Sequence, residues 1–203
     1  MSPASAGTGP ADPPHADPPH ADPPHADPPH ADPPHAEPVV LALGSNLGDR
    51  TRTLAAAVRA LADLPGFDLT GVSPAFESAA VKPSGVDETA PRYLNSVVAG
   101  QYTGTPLALL DAVNGIEADL GRVRAERWGD RTLDIDIIVF GALEFSDDRL
   151  SIPHPLAHER DFVLAPWLEL DPEAAIPGRG PVRALLAGLH PTVAPYREIG
   201  GDR

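Results

Sequence analysis

Asp134 and Asp136 stand two apart in Leu133-Asp134-Ile135-Asp136-Ile137-Ile138-Val139-Phe140, a run whose spacing is that of a strand. On a strand, alternate residues share a face about 6–7 Å apart, so both carboxylates point one way while Leu133, Ile135, Ile137 and Val139 point the other. Two carboxylates so placed repel each other and lose hydration unless a positive charge sits between them. Mg²⁺ suits that position, because it takes one or two carboxylates together with substrate phosphates, and a pair of metal ions could also be spanned. Four arginines, Arg122, Arg124, Arg127 and Arg131, precede the pair in a chain with only 15 basic residues. Guanidinium groups grip phosphate oxygens bidentately, and Mg²⁺ with arginines is the equipment of phosphoryl transfer.

The neighbouring residues extend this chemistry. Trp128-Gly129 interrupts the arginines, a pattern that fits a lid folding over a ligand or an aromatic packed on the domain. Glu117 falls on or beside an apolar helical stripe, at its edge or facing a site. His154, between Pro153 and Pro155, sits in a stiff loop compatible with a phosphate contact, shortly before Arg160 and Phe162. His158 reads as structural. Gly44-Ser45-Asn46-Leu47-Gly48-Asp49-Arg50 lacks the Gly-Lys-Ser/Thr ending of a P-loop and does not fit G-x-G-x-x-G, which excludes those two nucleotide folds at this position. By themselves these residues leave open a non-catalytic binding module with an acidic strand, or another Mg²⁺-dependent nucleotide hydrolase.

The elements that must position these groups follow from periodicity. Val39–Leu43 is a short apolar strand stopped by Gly44. Leu54, Val58 and Leu61 take helical spacing, and Pro65-Gly66 ends that helix. Extended segments are expected around Leu69–Phe76 and over Tyr93–Tyr102, with a polar, turn-rich flexible loop at 82–91. Thr105-Pro106 supplies a capping hydroxyl and a first-turn proline to a helix whose stripe is Leu109, Leu110, Val113, Ile116 and Leu120, ended by Gly121. After the Leu133–Phe140 strand come proline-punctuated loops and a short helix near Val182–Leu189. This order predicts an α+β sandwich, with helices on one face of a mostly antiparallel sheet.

Composition narrows the setting. The chain has 203 residues, no cysteine, 15 basic and 29 acidic side chains. Residues 1–38 hold 13 of the 26 prolines and none of the Lys or Arg. Within them Ala-Asp-Pro-Pro-His repeats five times over 11–35, so a disordered, polyproline-like tail is expected. Its five histidines could bind metal weakly; a solvated extension is the plainer expectation. Residues 39–203 then form one domain. Without cysteine there is no disulfide framework, thiolate metal site or Cys nucleophile. The acidic balance argues against nucleic-acid or anionic-membrane partners, and no apolar run reaches the roughly 20 residues of a membrane span. With no signal-peptide pattern at the N-terminus, a soluble cytoplasmic protein is expected.

The stretch from Arg122 to Gly141, with Arg131-Thr132-Leu133-Asp134-Ile135-Asp136-Ile137-Ile138, resembles the signature of the 6-hydroxymethyl-7,8-dihydropterin pyrophosphokinase family of folate biosynthesis. Leu43-Gly44-Ser45-Asn46-Leu47-Gly48, Tyr93-Leu94-Asn95, Ile152-Pro153-His154-Pro155 and Arg160-Asp161-Phe162-Val163 are similar to its other landmarks, in the same order over about 39–190. The resemblance implies a ferredoxin-like fold, a monomer, and transfer of diphosphate from ATP to the pterin hydroxymethyl group with release of AMP. It implies two Mg²⁺ on Asp134 and Asp136, with Arg122 and Arg131 neutralising the phosphates. It implies pterin contacts from Ser78, Ala79, Val81, Tyr93, Asn95 and Phe162, the two aromatic rings sandwiching the heterocycle. Glu117, Arg124, Trp128, Arg149, Ser151, His154 and Arg160 would serve ATP. Two positions depart from the pattern: Arg124 runs into Ala125-Glu126 with no lysine, and Pro155 stands where some members carry tyrosine.

Overall fold

The computed structural model describes residues 35–82, 85–87, 89–121, 132–189 and 192–197. The repeats up to residue 34, Arg122, Arg124, Arg127, Trp128 and Arg131 lie outside the described residues.

The first strand, β1 (Glu37–Ser45), begins two residues ahead of the apolar run and leads to α1 (Arg50–Ala62). The start of α1 is set by Asp49, whose carboxylate accepts the Arg52 N–H at 3.0 Å. Then come β2 (Phe67–Val72), β3 (Phe76–Ser78), β4 (Ala80–Lys82), β5 (Gly85–Asp87), β6 (Tyr93–Tyr102) and α2 (Pro106–Asp119). Thr105 caps α2 as expected, its hydroxyl accepting the Ala108 N–H at 3.2 Å, and Gly121 at φ +89° turns the chain out of it. The chain continues through β7 (Asp134–Phe140), β8 (Phe145–Ser146), β9 (Ser151–Ile152) and α3 (Asp161–Leu170). It closes with β10 (Ala175–Ile176), β11 (Gly180–Pro181), α4 (Val182–Ala187) and β12 (Ala194–Pro195).

The main sheet is antiparallel throughout, in the order β12-β3-β6-β1-β7, with β2 pairing β6 beyond β3. The fold is α+β, as the element order predicts, and ferredoxin-like, as the resemblance implies. Helices nevertheless cover both faces rather than one. Leu54 and Leu61 of α1 and Leu109 and Val113 of α2 pack on Leu41, Leu43, Leu94, Ile135 and Ile137. On the other face Val163, Leu164 and Trp167 of α3, with Val182 of α4, pack on Val40, Val97, Ile138 and Val139. Burial of these apolar faces is what holds the layers together; truncating a fully buried leucine such as Leu41 or Leu164 to alanine would cost about 2–5 kcal/mol.

Three local expectations are corrected. The segment expected around Leu69–Phe76 is two strands, because the Ser73 hydroxyl accepts the Val97 N–H at 2.8 Å in place of a ladder partner. The loop expected over 82–91 contains strand structure, since β4 and β5 pair Ala80 with Asp87 and Lys82 with Gly85. Val139 does not share the face of Ile135 and Ile137. The β1–β7 register shifts between Val40 and Leu41, and this bulge sends Val139 to the α3 face while Phe140 joins the α1/α2 face.

Candidate active site

Because β1 runs antiparallel to both neighbours, its C-terminal end lies beside the starts of β6 and β7. Gly44 is opposite Asn95 on one side and Asp134 on the other; Ala42 is opposite Val97 and Asp136 in the same way. Residues directly opposite share a face of the sheet. A row Asp134–Gly44–Asn95 therefore crosses three strands, with its two polar ends about 9–10 Å apart at two strand spacings. This is the face of α3, which packs over Val40 and Val97 with Phe162 and Ala42 at the edge of that cluster.

At the β6 end, Asn95 is 5% exposed and its amide donates to Ser78 Oγ at 3.0 Å and to the Phe76 carbonyl at 3.4 Å. That orientation turns Oδ1 toward Gly44: a Cβ at Gly44 would lie 3.5 Å from Asn95 Oδ1 and 3.6 Å from Tyr93 Cδ1. Ser78 pairs with Tyr93 in the β3–β6 ladder, and Ala79 follows it into the interior. Ser78, Ala79, Tyr93 and Asn95 are thus brought together. Val81 lies in β4, close in sequence, and only its backbone position is described.

At the β7 end, Asp134 and Asp136 are both half-buried. Arg160 Nη1 donates to Asp136 Oδ2 at 3.1 Å, and its guanidinium lies 5.6 Å from the centre of the Phe162 ring. His154 Nδ1 accepts the Leu156 N–H at 3.2 Å, which assigns the proton to Nε2; that nitrogen faces Asp136 Oδ2 at 3.9 Å. Burial pushes the His154 imidazole below its ordinary pKa, the Asp136, Arg160 and Asp134 charges acting as smaller and partly opposed influences. The ring is accordingly neutral at neutral pH. Asp136, His154, Arg160 and Phe162 form the second group that the fold assembles.

The donor set suits Mg²⁺. Two half-buried carboxylates on one strand face offer hard oxygens, and among the described residues no third His, Asp or Glu completes a protein cage, so phosphate and water oxygens would have to fill the remaining positions.

Other expected site residues stand elsewhere. Glu117 is 2% exposed in α2, and its carboxylate accepts the Ile135 N–H at 2.8 Å, between the two aspartates in sequence. It is fastened beneath the strand that carries them. Arg149 is ion-paired to Asp111 of α2, and Ser151 shares a hydrogen bond of 2.9 Å with Ser146 across the β8–β9 hairpin. His158 lies 3.2 Å from Glu159, in keeping with a structural part. A cleft of about 510 Å³ opens beside His154 between that hairpin and the β10–β11 turn, lined by Glu144, Ser146, Pro177 and Arg179 among others. Sequence reasoning missed Glu144 and Arg179 there. They come from turns distant in sequence, with no motif to mark them.

Comparison with known proteins points to one family. A family model described as 7,8-dihydro-6-hydroxymethylpterin-pyrophosphokinase (HPPK) matches residues 40–172. A protein of Methylorubrum extorquens named 2-amino-4-hydroxy-6-hydroxymethyldihydropteridine pyrophosphokinase is 41% identical over 152 residues, which are 75% of this chain and 93% of that protein. A Pseudomonas aeruginosa protein of the same name is 42% identical over 149 residues, covering 73% of this chain and 90% of its own length. Among solved structures, a Plasmodium falciparum HPPK-DHPS triple mutant with SDX-DHP is similar in fold, with a TM-score of 0.58 at 15% identity. That match covers 77% of this chain and 45% of the Plasmodium chain.

Proposed function

The chain belongs to the 7,8-dihydro-6-hydroxymethylpterin-pyrophosphokinase family, and from that premise we propose how its residues carry out the reaction. The enzyme transfers diphosphate from ATP to 6-hydroxymethyl-7,8-dihydropterin in folate synthesis. The pterin hydroxyl oxygen forms a bond to the β-phosphorus of ATP. The bond from that phosphorus to the α–β bridging oxygen breaks, AMP leaves with the electron pair, and the hydroxyl proton is lost to solvent.

The row Asp134–Gly44–Asn95 carries this assignment of roles. Its acidic end is the metal and phosphate side, and its amide end is the pterin side. Asp134 and Asp136 hold Mg²⁺, two ions by the family pattern, and the metal when bound supplies positive charge to the phosphates. Arg160, which pairs with Asp136, binds phosphate oxygens, and neutral His154 donates from Nε2 on the same side. Asn95 and Ser78 read the hydrogen-bonding edge of the pterin, with main-chain groups of Ala79 and Val81, while Tyr93 and Phe162 stack on its faces. Arg122 and Arg131 complete the phosphate grip, and Arg124, Trp128, Arg149 and Ser151 also serve the nucleotide. Glu117 serves the nucleotide side through β7. Catalysis then rests on alignment of the two substrates and neutralisation of phosphate charge. The chain works as a cytoplasmic monomer on these two small molecules, with no nucleic-acid or membrane partner.

The test is AMP release from ATP, with and without 6-hydroxymethyl-7,8-dihydropterin, in Mg²⁺ and then in EDTA. AMP formation requiring both pterin and Mg²⁺ is expected. ADP instead of AMP, or release indifferent to pterin, would overturn the assignment.

A further inference from the structure

Strand alternation puts Glu77 of β3 on the opposite face from its neighbours Phe76 and Ser78, since Glu77 pairs with Leu94 and Leu94 belongs to the α1/α2 core. On that reverse face Glu77 is held twice. Arg50 Nη1, at the first residue of α1, donates to Glu77 Oε1 at 2.8 Å, and Arg92 Nε donates to Glu77 Oε2 at 3.2 Å. Arg50 Nη1 also donates to the Arg92 carbonyl at 2.8 Å. The Arg50 guanidinium lies 5.8 Å from the centre of the Tyr196 ring, and the Tyr196 N–H is bonded to the Ala75 carbonyl at 2.8 Å. Three separate pieces of chain meet at one carboxylate, and Tyr196 brings a fourth against Arg50.

Their location gives the cluster a purpose. The chain leaves β3 after Ser78 and returns to β6 at Tyr93, and these two residues are register partners. The intervening segment, 79–92, therefore has a neck one strand spacing wide. Glu77 and Arg92 are the residues just outside Ser78 on one side of the neck and just before Tyr93 on the other. Their ion pair, braced by Arg50, closes the neck from behind the sheet.

We propose that Glu77, clamped between Arg50 and Arg92, is a positioning residue for the pterin side of the site: it fixes where Ser78, Tyr93 and Asn95 stand without touching the ligand. The inference rests on the assignment of those three residues to the pterin. A neck already closed before binding spares the ordering cost that a loose one would impose on pterin affinity. ATP, held from β7 and the segment around His154, does not share that cost.

The experiment compares Glu77→Gln, Arg50→Gln and the double variant with the full-length parent chain by steady-state AMP formation and by amide hydrogen exchange. Glu77→Gln is expected to raise KM for the pterin about fivefold with KM for ATP within about twofold, a coupling of the size seen for contacting pairs. Exchange is expected to quicken at residues 92–95 and stay unchanged in β7. The double variant is expected to be no worse than the more affected single one, because both substitutions open the same clamp. Parallel changes in both KM values, or no change in exchange at 92–95, would overturn the positioning role. If Glu77→Gln does not fold, Arg92→Gln, which removes one grip only, is held to the same two criteria. A parent chain that makes no pterin-dependent AMP would overturn the functional assignment, and the exchange comparison alone would then decide whether the clamp exists.

Discussion

Arg160 Nη1 sits 3.1 Å from Asp136 Oδ2, so one of the two carboxylates proposed to hold metal is already paired with a cation. The pair is half-buried, with side chains 20% and 35% exposed, and its strength is correspondingly screened. Its consequence lies in placement, since the proposed metal-holding group and the proposed phosphate-holding group occupy neighbouring positions. Asp136→Ala is expected to lower turnover by at least about a hundredfold, in line with losing a preorganised charge-stabilising element. The thermal midpoint should change little, because one half-exposed ion pair contributes little stability. Retained turnover would remove Asp136 from the metal site.

Gly44 occupies the centre of the Asp134–Gly44–Asn95 row, between the proposed phosphate and pterin ends. A Cβ there meets its nearest neighbours at 3.5 and 3.6 Å, which is ordinary contact, so alanine fits the ligand-free protein. Glycine in a strand also costs conformational entropy that alanine does not. Gly44→Ala should therefore keep stability to within about 1 kcal/mol in urea titration. In the proposed arrangement the added methyl group stands between the pterin and phosphate ends, and pterin-dependent AMP formation should fall about tenfold or more, in keeping with the sensitivity of rates to small misplacements. Unchanged kinetics in the folded variant would show that the two substrates meet elsewhere.

Phe162 offers a different separation of the two ligands. Its ring is half-buried at the start of α3 and lies beneath the Arg160 guanidinium. Phe162→Ala removes an aromatic face, worth about tenfold in the affinity of a flat heterocycle, and leaves the Arg160–Asp136 contact available. Titrating the two ligands separately by calorimetry should give a large loss for the pterin and a loss within about twofold for ATP. Equal losses would refute the stacking assignment.

The parts of this arrangement that sequence could reveal are those written in local spacing. Alternation exposed Asp134 and Asp136 on one strand face, and Thr105-Pro106 marked the start of α2, because both depend on residues within a turn or two. The helix α3 was hidden: Phe162-Val163-Leu164-Ala165-Pro166-Trp167 is apolar all round, and Pro166 within it is ordinarily a helix breaker. The face of Val139 was hidden for another reason, since a bulge is a property of two strands and changes the phase of one. The clamp on Glu77 joins residues 50, 77 and 92, and no pairwise motif spans such distances.

Glu117 shows the same limit at a buried position. Its place on α2 marked it as a carboxylate at the edge of the apolar stripe or facing a site, yet the partner that defines it is the backbone N–H of Ile135, 18 residues away. A carboxylate accepting a buried N–H makes a stronger bond than a neutral acceptor, and removing it leaves that donor without this acceptor's charge. Glu117→Gln keeps the shape and one acceptor oxygen; Glu117→Leu keeps the bulk and removes the acceptor. The leucine variant should lose about 1–3 kcal/mol in urea titration and the glutamine variant less, the order expected for a buried donor left unmatched. Because the bond ends on the residue between Asp134 and Asp136, the Mg²⁺ concentration for half-maximal AMP formation should rise in both folded variants while the pterin KM stays put. A shift in the pterin KM alone would mean that Glu117 does not act through β7.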